Sequence, residues 1–148
     1  MCTDIDATSY YNDLATFFGL DRRIWRVLPR EPAPDLGRVF DLITATNIGF
    51  NKLPGKPRKE WFVEEWQFFL EDLATRLAKP ESRIYLTINQ MQRARRPEQR
   101  RADASLLGFF AECGARFPSY GHILFEGVGR LRERPEGVMS KEVHLSGV

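Results

Sequence analysis

Cysteine and histidine are scarce in this chain of 148 residues, with two of each. Cys2 and Cys113 stand far apart and make no framework of spacings. That excludes a small secreted scaffold stapled by disulfides, and both residues read as reduced thiols of a cytoplasmic protein. His122 and His144 are distant from each other and from the cysteines, so none of the usual metal-ligand spacings arises and no metal is expected. No apolar run approaches the roughly 20 residues that a membrane helix needs, so no membrane partner is expected. The opening MCTDIDATSY carries early acids rather than the basic-then-apolar order of a secretory signal. Neither sign of charge dominates: 22 Lys and Arg face 20 Asp and Glu, and the net +2 argues neither for nor against a nucleic-acid partner.

What is present suits one domain with a proper core: 43% hydrophobic and 28% charged residues. The chain is organised around Phe40–Asn51, FDLITATNIGFN. Its run Val39–Ala45 lacks strict polar alternation and reads as a strand covered on both faces, of the kind found at the centre of a parallel sheet. Thr44, Ala45, Thr46 and Asn47 are small and polar where such a strand would end. Ligands of open α/β sheets sit outside the carboxyl ends of the strands, so this exit suits a small ligand. An ordinary polar loop after a buried strand is the plainer alternative.

In chain order, Cys2–Asp6 resembles the end of a strand with an acid at its tip. A helix follows, capped by Thr8 or Ser9, with Tyr11, Leu14, Ala15 and Phe18 on one face and Gly19 at its end. Arg23–Leu28 predicts a second strand, and the three prolines of Pro29–Pro34 a loop. Lys52–Lys59 reads as a solvated cationic loop. A long helix is expected from Trp61 or Val63 to Ala78, stopped by Pro80, and a strand over Ser82–Asn89. The arginines of Gln90–Arg101 lack interleaved aromatics and are broken by Pro97 and Glu98. They read as a solvated loop and helix start, and a nucleic-acid partner is not expected. Ala102–Cys113 predicts a helix, and Ala115–Phe117 and Gly121–Glu126 predict a strand pair joined by a turn. The charged, glycine-bearing segment 127–148 is expected to be a poorly ordered tail. Strands alternating with helices predict an α/β sandwich with a mostly parallel sheet.

Asp35–Ala45 with Phe40-Asp41-Leu42, then Phe50-Asn51, Trp61…Glu65-Trp66…Phe69-Leu70…Arg76-Leu77 and Arg83-Ile84-Tyr85-Leu86…Asn89 resemble the C-terminal two-thirds of class I S-adenosylmethionine-dependent methyltransferases. The resemblance spans residues 4–126. It implies a Rossmann-like three-layer sandwich with a mostly parallel sheet and a reversed C-terminal hairpin, incomplete at its N-terminus over domain 1–126. It departs from the family at Lys79-Pro80-Glu81-Ser82, where members carry Pro-Gly-Gly, and no glycine-rich turn precedes Asp4. Gly127 and Gly129 form a late G-x-G, discounted because a charged tail follows. The resemblance implies S-adenosylmethionine as cofactor, with Asp4 and Ile5 at the ribose and Thr44, Ala45 and Thr46 below the sulfonium. It places Asn47 and Phe50 near an unknown methyl acceptor. Trp61 and Trp66 read as core rather than as an aromatic cage. Without the family's first strand, its neighbours would either close the gap or expose unpaired edges, or a second copy or a partner chain would supply it. The alternative function is a non-catalytic interaction module for protein or nucleic acid on the same scaffold.

Overall fold

The structure is a computed structural model, and it describes residues 1–4, 9–48, 50–53, 55–88 and 97–132. In chain order the elements are β1 (Cys2–Asp4), α1 (Ser9–Phe17), β2 (Arg22–Ile24), β3 (Phe40–Ile48), β4 (Lys52–Leu53), β5 (Lys56–Glu60) and α2 (Val63–Asp72). They continue with β6 (Ala78–Ile88), α3 (Pro97–Glu112), β7 (Ala115–Arg116), β8 (His122–Glu126) and α4 (Gly129–Arg132). A wider π turn, Leu73–Leu77, joins α2 to β6.

The fold is α/β. Its main sheet has four strands in the order β3-β6-β8-β7. The crossover through α2 makes β3 and β6 parallel, with Ile43 beside Ile84 and Thr44 beside Tyr85. β8 is antiparallel to both β6 and β7. The expectation of a mostly parallel sheet is therefore corrected. β8 lies between β6 and β7 and runs against both, because the short connection Phe117–Gly121 can join only antiparallel strands. β1 and β2 form a separate parallel pair, and β4 and β5 an antiparallel hairpin. The segment Lys52–Lys59, expected as a loop, is thus mostly hairpin, with Gly55 at φ 68° serving its turn.

One face of the sheet carries the core. Ile84, Leu86, Ile123 and Phe125 are at most 1% exposed there. Against them lie Trp66, Leu70 and Leu73 from α2 and its π turn, Phe109 and Phe110 from α3, and Leu131 from α4. The opposite face has Leu42, Thr44 and Thr46 on β3 and Tyr85 on β6, because alternate residues of a strand point to opposite faces. Leu42 is 57% exposed. The expected central strand, covered on both faces, is instead the edge strand of the four-stranded sheet and is covered on one face only. The three-layer expectation is corrected with it, since α2, α3 and α4 share a single face.

Local chemistry explains the element ends. Gly19 (φ 62°) closes α1 in a Schellman motif, donating to Thr16 O at 3.1 Å while Leu20 N–H reaches Ala15 O at 2.8 Å. The helix of residue 63 onward ends before Pro80, as expected, but the strand begins at Ala78 and runs through the proline. Between the Phe40–Ala78 and Leu42–Arg83 pairs the register shifts, so residues 79–82 bulge and Pro80 needs no ladder partner for its absent N–H. Ser82 Oγ ties the bulge, donating to Phe40 O at 2.6 Å and accepting from Lys79 N–H at 2.9 Å. The expected strand Arg23–Leu28 shortens to Arg22–Ile24, and Trp25 and Val27 pack against the core outside any ladder. Tail order was also misjudged: Gly129–Arg132 is helical, with Val128 and Leu131 buried in the core, and residues 133–148 lie outside the described ones.

The proline-rich segment is strapped along α2. Ala33, 2% exposed, donates its N–H to Asp72 Oδ2 at 2.7 Å. Arg30 Nη2 lies 3.1 Å from Glu65 Oε1, and Glu65 Oε2 accepts the Phe62 N–H at 2.9 Å, capping α2. Glu65 is 8% exposed, so both partners matter to a carboxylate withdrawn from water. Glu65→Ala should lower the unfolding free energy by about 1–3 kcal/mol, the cost of leaving buried partners unsatisfied. Glu65→Gln, which keeps an acceptor for Phe62 N–H, should lose less in urea denaturation. Equal losses would show that this cap contributes nothing.

At the amino end of β3, Asp41 meets Lys79 Nζ at 2.5 Å. The hydrogen bond from Lys79, then its charge, lowers the Asp41 pKa below 3.8, and Asp41 raises that of Lys79. A carboxyl depressed by folding contributes stability above its ordinary pKa and loses it as pH falls through the depressed value. NMR titration should find Asp41 ionising below 3.8 and returning toward it in Lys79→Met. Since both groups are solvated, denaturation midpoints of the two proteins should nearly coincide at pH 7. An Asp41 titration unaffected by Lys79→Met would exclude the pairing.

Candidate functional site

β3 and β6 run in parallel, so their carboxyl ends, at Ile48 and Ile88, share one end of the sheet. Two connections among the described residues meet there. The β4–β5 hairpin follows β3, its base held by Trp61 N–H on Asn51 O at 2.8 Å. The Phe117–Gly121 turn enters β8, whose His122 stands beside Thr87, and Ile88 N–H donates to Gly121 O at 2.9 Å.

The residues expected to hold a ligand divide in this frame. Thr44 and Thr46 are exposed on the open face. Ala45, between them, turns to the other face and packs against the core. Asn47 lies within β3. Asp4 is the last residue of β1, paired in register with Ile24 of β2, and Ile5 lies outside the described residues. Phe50 is partly buried against the core. Its ring lies 5.4 Å from Trp61 and 5.3 Å from Phe69, within an aromatic cluster that includes Trp66. Trp61 and Trp66 are 4% and 0% exposed, which makes them core residues, as expected. Their indole Nε1 atoms are buried with no hydrogen-bond partner. The centroid spacings of 5.3–6.4 Å among Phe50, Trp61, Trp66 and Phe69 are those of rings in mutual contact, leaving no cage.

The late G-x-G, Gly127-Val128-Gly129, offers no anion cradle. Gly127 N–H donates to Ser82 O at 3.1 Å and Val128 N–H to Pro80 O at 2.8 Å. Two of its three amides are thus spent on the β6 bulge, at the amino end of the parallel pair.

One polar pair escaped the sequence reading. Tyr85 Oη and His122 Nδ1 are 2.5 Å apart, with ring centroids 5.9 Å apart. Both rings are half-buried on the open face, and Thr44 is the register partner of Tyr85. A phenol bonded to an imidazole can hold or pass a proton, whichever of the two donates. Alternation around Ile84-Tyr85-Leu86 signals that Tyr85 leaves the core. The approach of His122 depends on the β6–β8 register, which no local pattern encodes. Among the described residues, no group of three or more His, Cys, Asp or Glu side chains could hold a metal ion, and no helix is long and apolar enough to cross a membrane. Cys113 is a buried thiol that forms no disulfide among the described residues.

Tyr85→Phe should shift the imidazole nitrogen resonances of His122 and alter its tautomer balance while leaving the amide spectrum otherwise intact. Unchanged imidazole resonances would rule the hydrogen bond out.

Comparison with protein-family models, with curated proteins and with solved structures found no match to this chain.

Proposed function

We propose that this chain carries the Rossmann-like scaffold of a class I S-adenosylmethionine-dependent methyltransferase and acts in methyl transfer to a small or otherwise undetermined acceptor in the cytoplasm. One observation carries the reading. The sheet pairs a parallel β3–β6 unit, linked through α2, with a reversed β7–β8 hairpin. That is the arrangement which the resemblance of residues 4–126 implies. The parallel β1–β2 pair, joined through α1 and ending in Asp4, supports it. So does the edge position of β3: the family's first strand lies between the strands equivalent to β1 and β3, and neither of these pairs with the other here.

The chain's own groups fit the polar parts of the cofactor. Asp4, at a strand's carboxyl end, suits ribose hydroxyls, since a carboxylate accepts two hydroxyl protons. Ile5 would flank it. Thr44 and Thr46 offer hydroxyls on the open face, and Asn47 lies at the exit of β3 toward the acceptor. The glycine-rich cradle is not among the described residues. When bound, the cofactor supplies an electrophilic methyl group. The protein then contributes position and exclusion of water. The Tyr85–His122 pair would accept a proton from an acceptor seated beside Thr44.

Isothermal titration with S-adenosylhomocysteine tests the reading on a monodisperse sample. One-to-one binding is expected, weakened about tenfold or more by Asp4→Ala, as expected for a lost charge-assisted hydrogen bond of roughly 1.5–3 kcal/mol. A folded chain that binds none would overturn cofactor use and leave the non-catalytic scaffold. Unchanged affinity in Asp4→Ala would remove Asp4 from the site.

A further inference from the structure

The turn from α1 into β2 presents a cluster to solvent that methyl transfer does not use. Phe17 is 82% exposed, Phe18 65% and Leu20 49%. Ala15, on the face of α1 that Phe18 shares, is buried, so the apolar stripe runs on past the core and ends in the open. These side chains do not stand on a fraying end. Phe18 N–H donates to Leu14 O at 3.0 Å and Leu20 N–H to Ala15 O at 2.8 Å, which fixes the backbone around Gly19. The rings of Phe17 and Phe18 meet edge to face with centroids 5.0 Å apart. A backbone ordered in advance lowers the entropy cost of burying these groups against a partner. The residues that follow are cationic. Segment 17–26 holds Arg22, Arg23 and Arg26 against one acid, Asp21. Arg22 donates to Asn12 of α1, so its guanidinium lies along the helix. Asp21 serves two other arginines at once: Arg23 Nε and Arg38 Nη2 each lie 3.3 Å from its carboxylate, and their side chains are 58% and 55% exposed. One carboxylate cannot neutralise two guanidinium groups, so the cluster keeps a positive excess. Phe17 and Arg23 are six positions apart, at most about 20 Å even in an extended chain, and Asp21 ties Arg38 to the same turn. The apolar tip and the cations are therefore neighbours.

Exposed apolar groups rimmed by polar ones mark interaction surfaces. Here the charges select the occupant. A second copy seated on the turn about a two-fold axis would set the arginine cluster against itself, which like charges oppose. A bilayer surface with anionic headgroups suits both parts: the headgroups take the guanidinium groups, and the boundary with the acyl chains takes the rings. A tip as open as Phe17 needs a medium that closes around it. A fluid interface does so, whereas a rigid protein must carry a preformed pocket. We infer that the α1–β2 turn, with Phe17, Phe18 and Leu20 at its tip and Arg22, Arg23 and Arg38 about it, docks on an anionic lipid surface. The contact is peripheral and needs no crossing helix. The sequence expectation of no membrane partner considered only a spanning run, which does not bear on a surface contact. The inference stands on the turn's own chemistry and not on the cofactor site.

The test is co-sedimentation of the full chain with vesicles of phosphatidylcholine and phosphatidylserine, about 7:3, against vesicles of phosphatidylcholine alone. Binding should favour the anionic vesicles and weaken between about 20 and about 500 mM NaCl, as screening shortens the reach of the surface charge. Arg23→Gln/Arg38→Gln should bind more weakly by about fivefold per charge removed, and the loss should shrink at high salt. Phe17→Ser/Phe18→Ser should bind at least about tenfold more weakly at every salt concentration, since burial of the rings is not ionic. Circular dichroism checks that both variants fold. In Phe18→Trp, the fluorescence should shift to the blue on anionic vesicles and be quenched by lipids with brominated acyl chains. No binding of the folded chain to anionic vesicles at low salt overturns the inference. So does equal binding to the two kinds of vesicle, or binding that Phe17→Ser/Phe18→Ser leaves unchanged. Sedimentation velocity without vesicles covers the other occupant. A dimer that Phe17→Ser/Phe18→Ser dissolves, in a chain that binds no vesicle, would assign the turn to a second copy and overturn the lipid assignment.

Discussion

Trp66 is the contact on which the rest of the chain depends. It is fully buried, and its ring lies 5.3 Å from Trp61, 6.0 Å from Phe69 and 5.4 Å from Phe110. Phe110 in turn meets Phe125 of β8 at 6.2 Å. Through these rings α2 grips the exit of β3, the end of the hairpin, α3 and the reversed strand at once. Each aromatic pair adds about 0.5–1.5 kcal/mol beyond the area it buries. The seam tolerates two buried indole N–H groups without acceptors. Each such donor forfeits about 1–3 kcal/mol of desolvation. Ring packing therefore outweighs polar satisfaction at this site. Phe50 belongs to the same packing: it is the ring by which the chain leaving β3 is held to α2.

A core gathered on one face has consequences for the other. With α2, α3 and α4 on the Ile84–Phe125 side, β3 shows Leu42 and its threonines to solvent and has one partner strand, β6. An exposed edge with apolar residues is a pairing template unless something covers it. Further apolar side chains lie open in the N-terminal third, with Phe17 82%, Phe18 65% and Ile24 59% exposed. The charge of Asp41 within β3, clasped by Lys79, discourages indiscriminate edge pairing at that strand's start.

The sequence made the crossover unit legible. The 3.6-residue spacing of Val63, Trp66, Leu70, Leu73 and Leu77, the Gly19 stop and the alternation in Ile84–Ile88 each encode a local geometry that tertiary packing left alone. The reversed strand pair was also legible, because a turn between two short apolar runs admits few alternatives. What failed was non-local. Whether Val39–Ala45 is central or at an edge depends on what pairs with it, and an apolar run carries no record of its neighbours. Pro80 reads as a terminator by itself, yet a bulge tied by Ser82 accommodates it within β6. Gly127-Val128-Gly129 reads as a loose tail until the fold supplies Pro80 O and Ser82 O as acceptors. At the site, Thr44 and Thr46 were picked from their position after a hydrophobic run, and that positional argument needs only strand direction. Tyr85 and His122 are separated by 37 residues and meet only in the register of β6 with β8.

The two ends of the sheet are chemically unequal. At the amino end of the parallel pair, the groups are saturated among themselves. Lys79 holds Asp41, Ser82 bridges Lys79 and Phe40, and the amides of Gly127 and Val128 close on the bulge. Toward the carboxyl end, Thr44, Thr46, Tyr85 and His122 stand in ladders with their side chains on the face away from the core, and Phe117 and Tyr120 stand on a connection. Such side chains can change partners at little cost to the core, because the rings of Trp66, Phe110 and Phe125 hold the sheet from the other face. A one-sided core thus divides the labour. The covered face supplies rigidity, and the carboxyl-end rim and open face are free to carry binding chemistry.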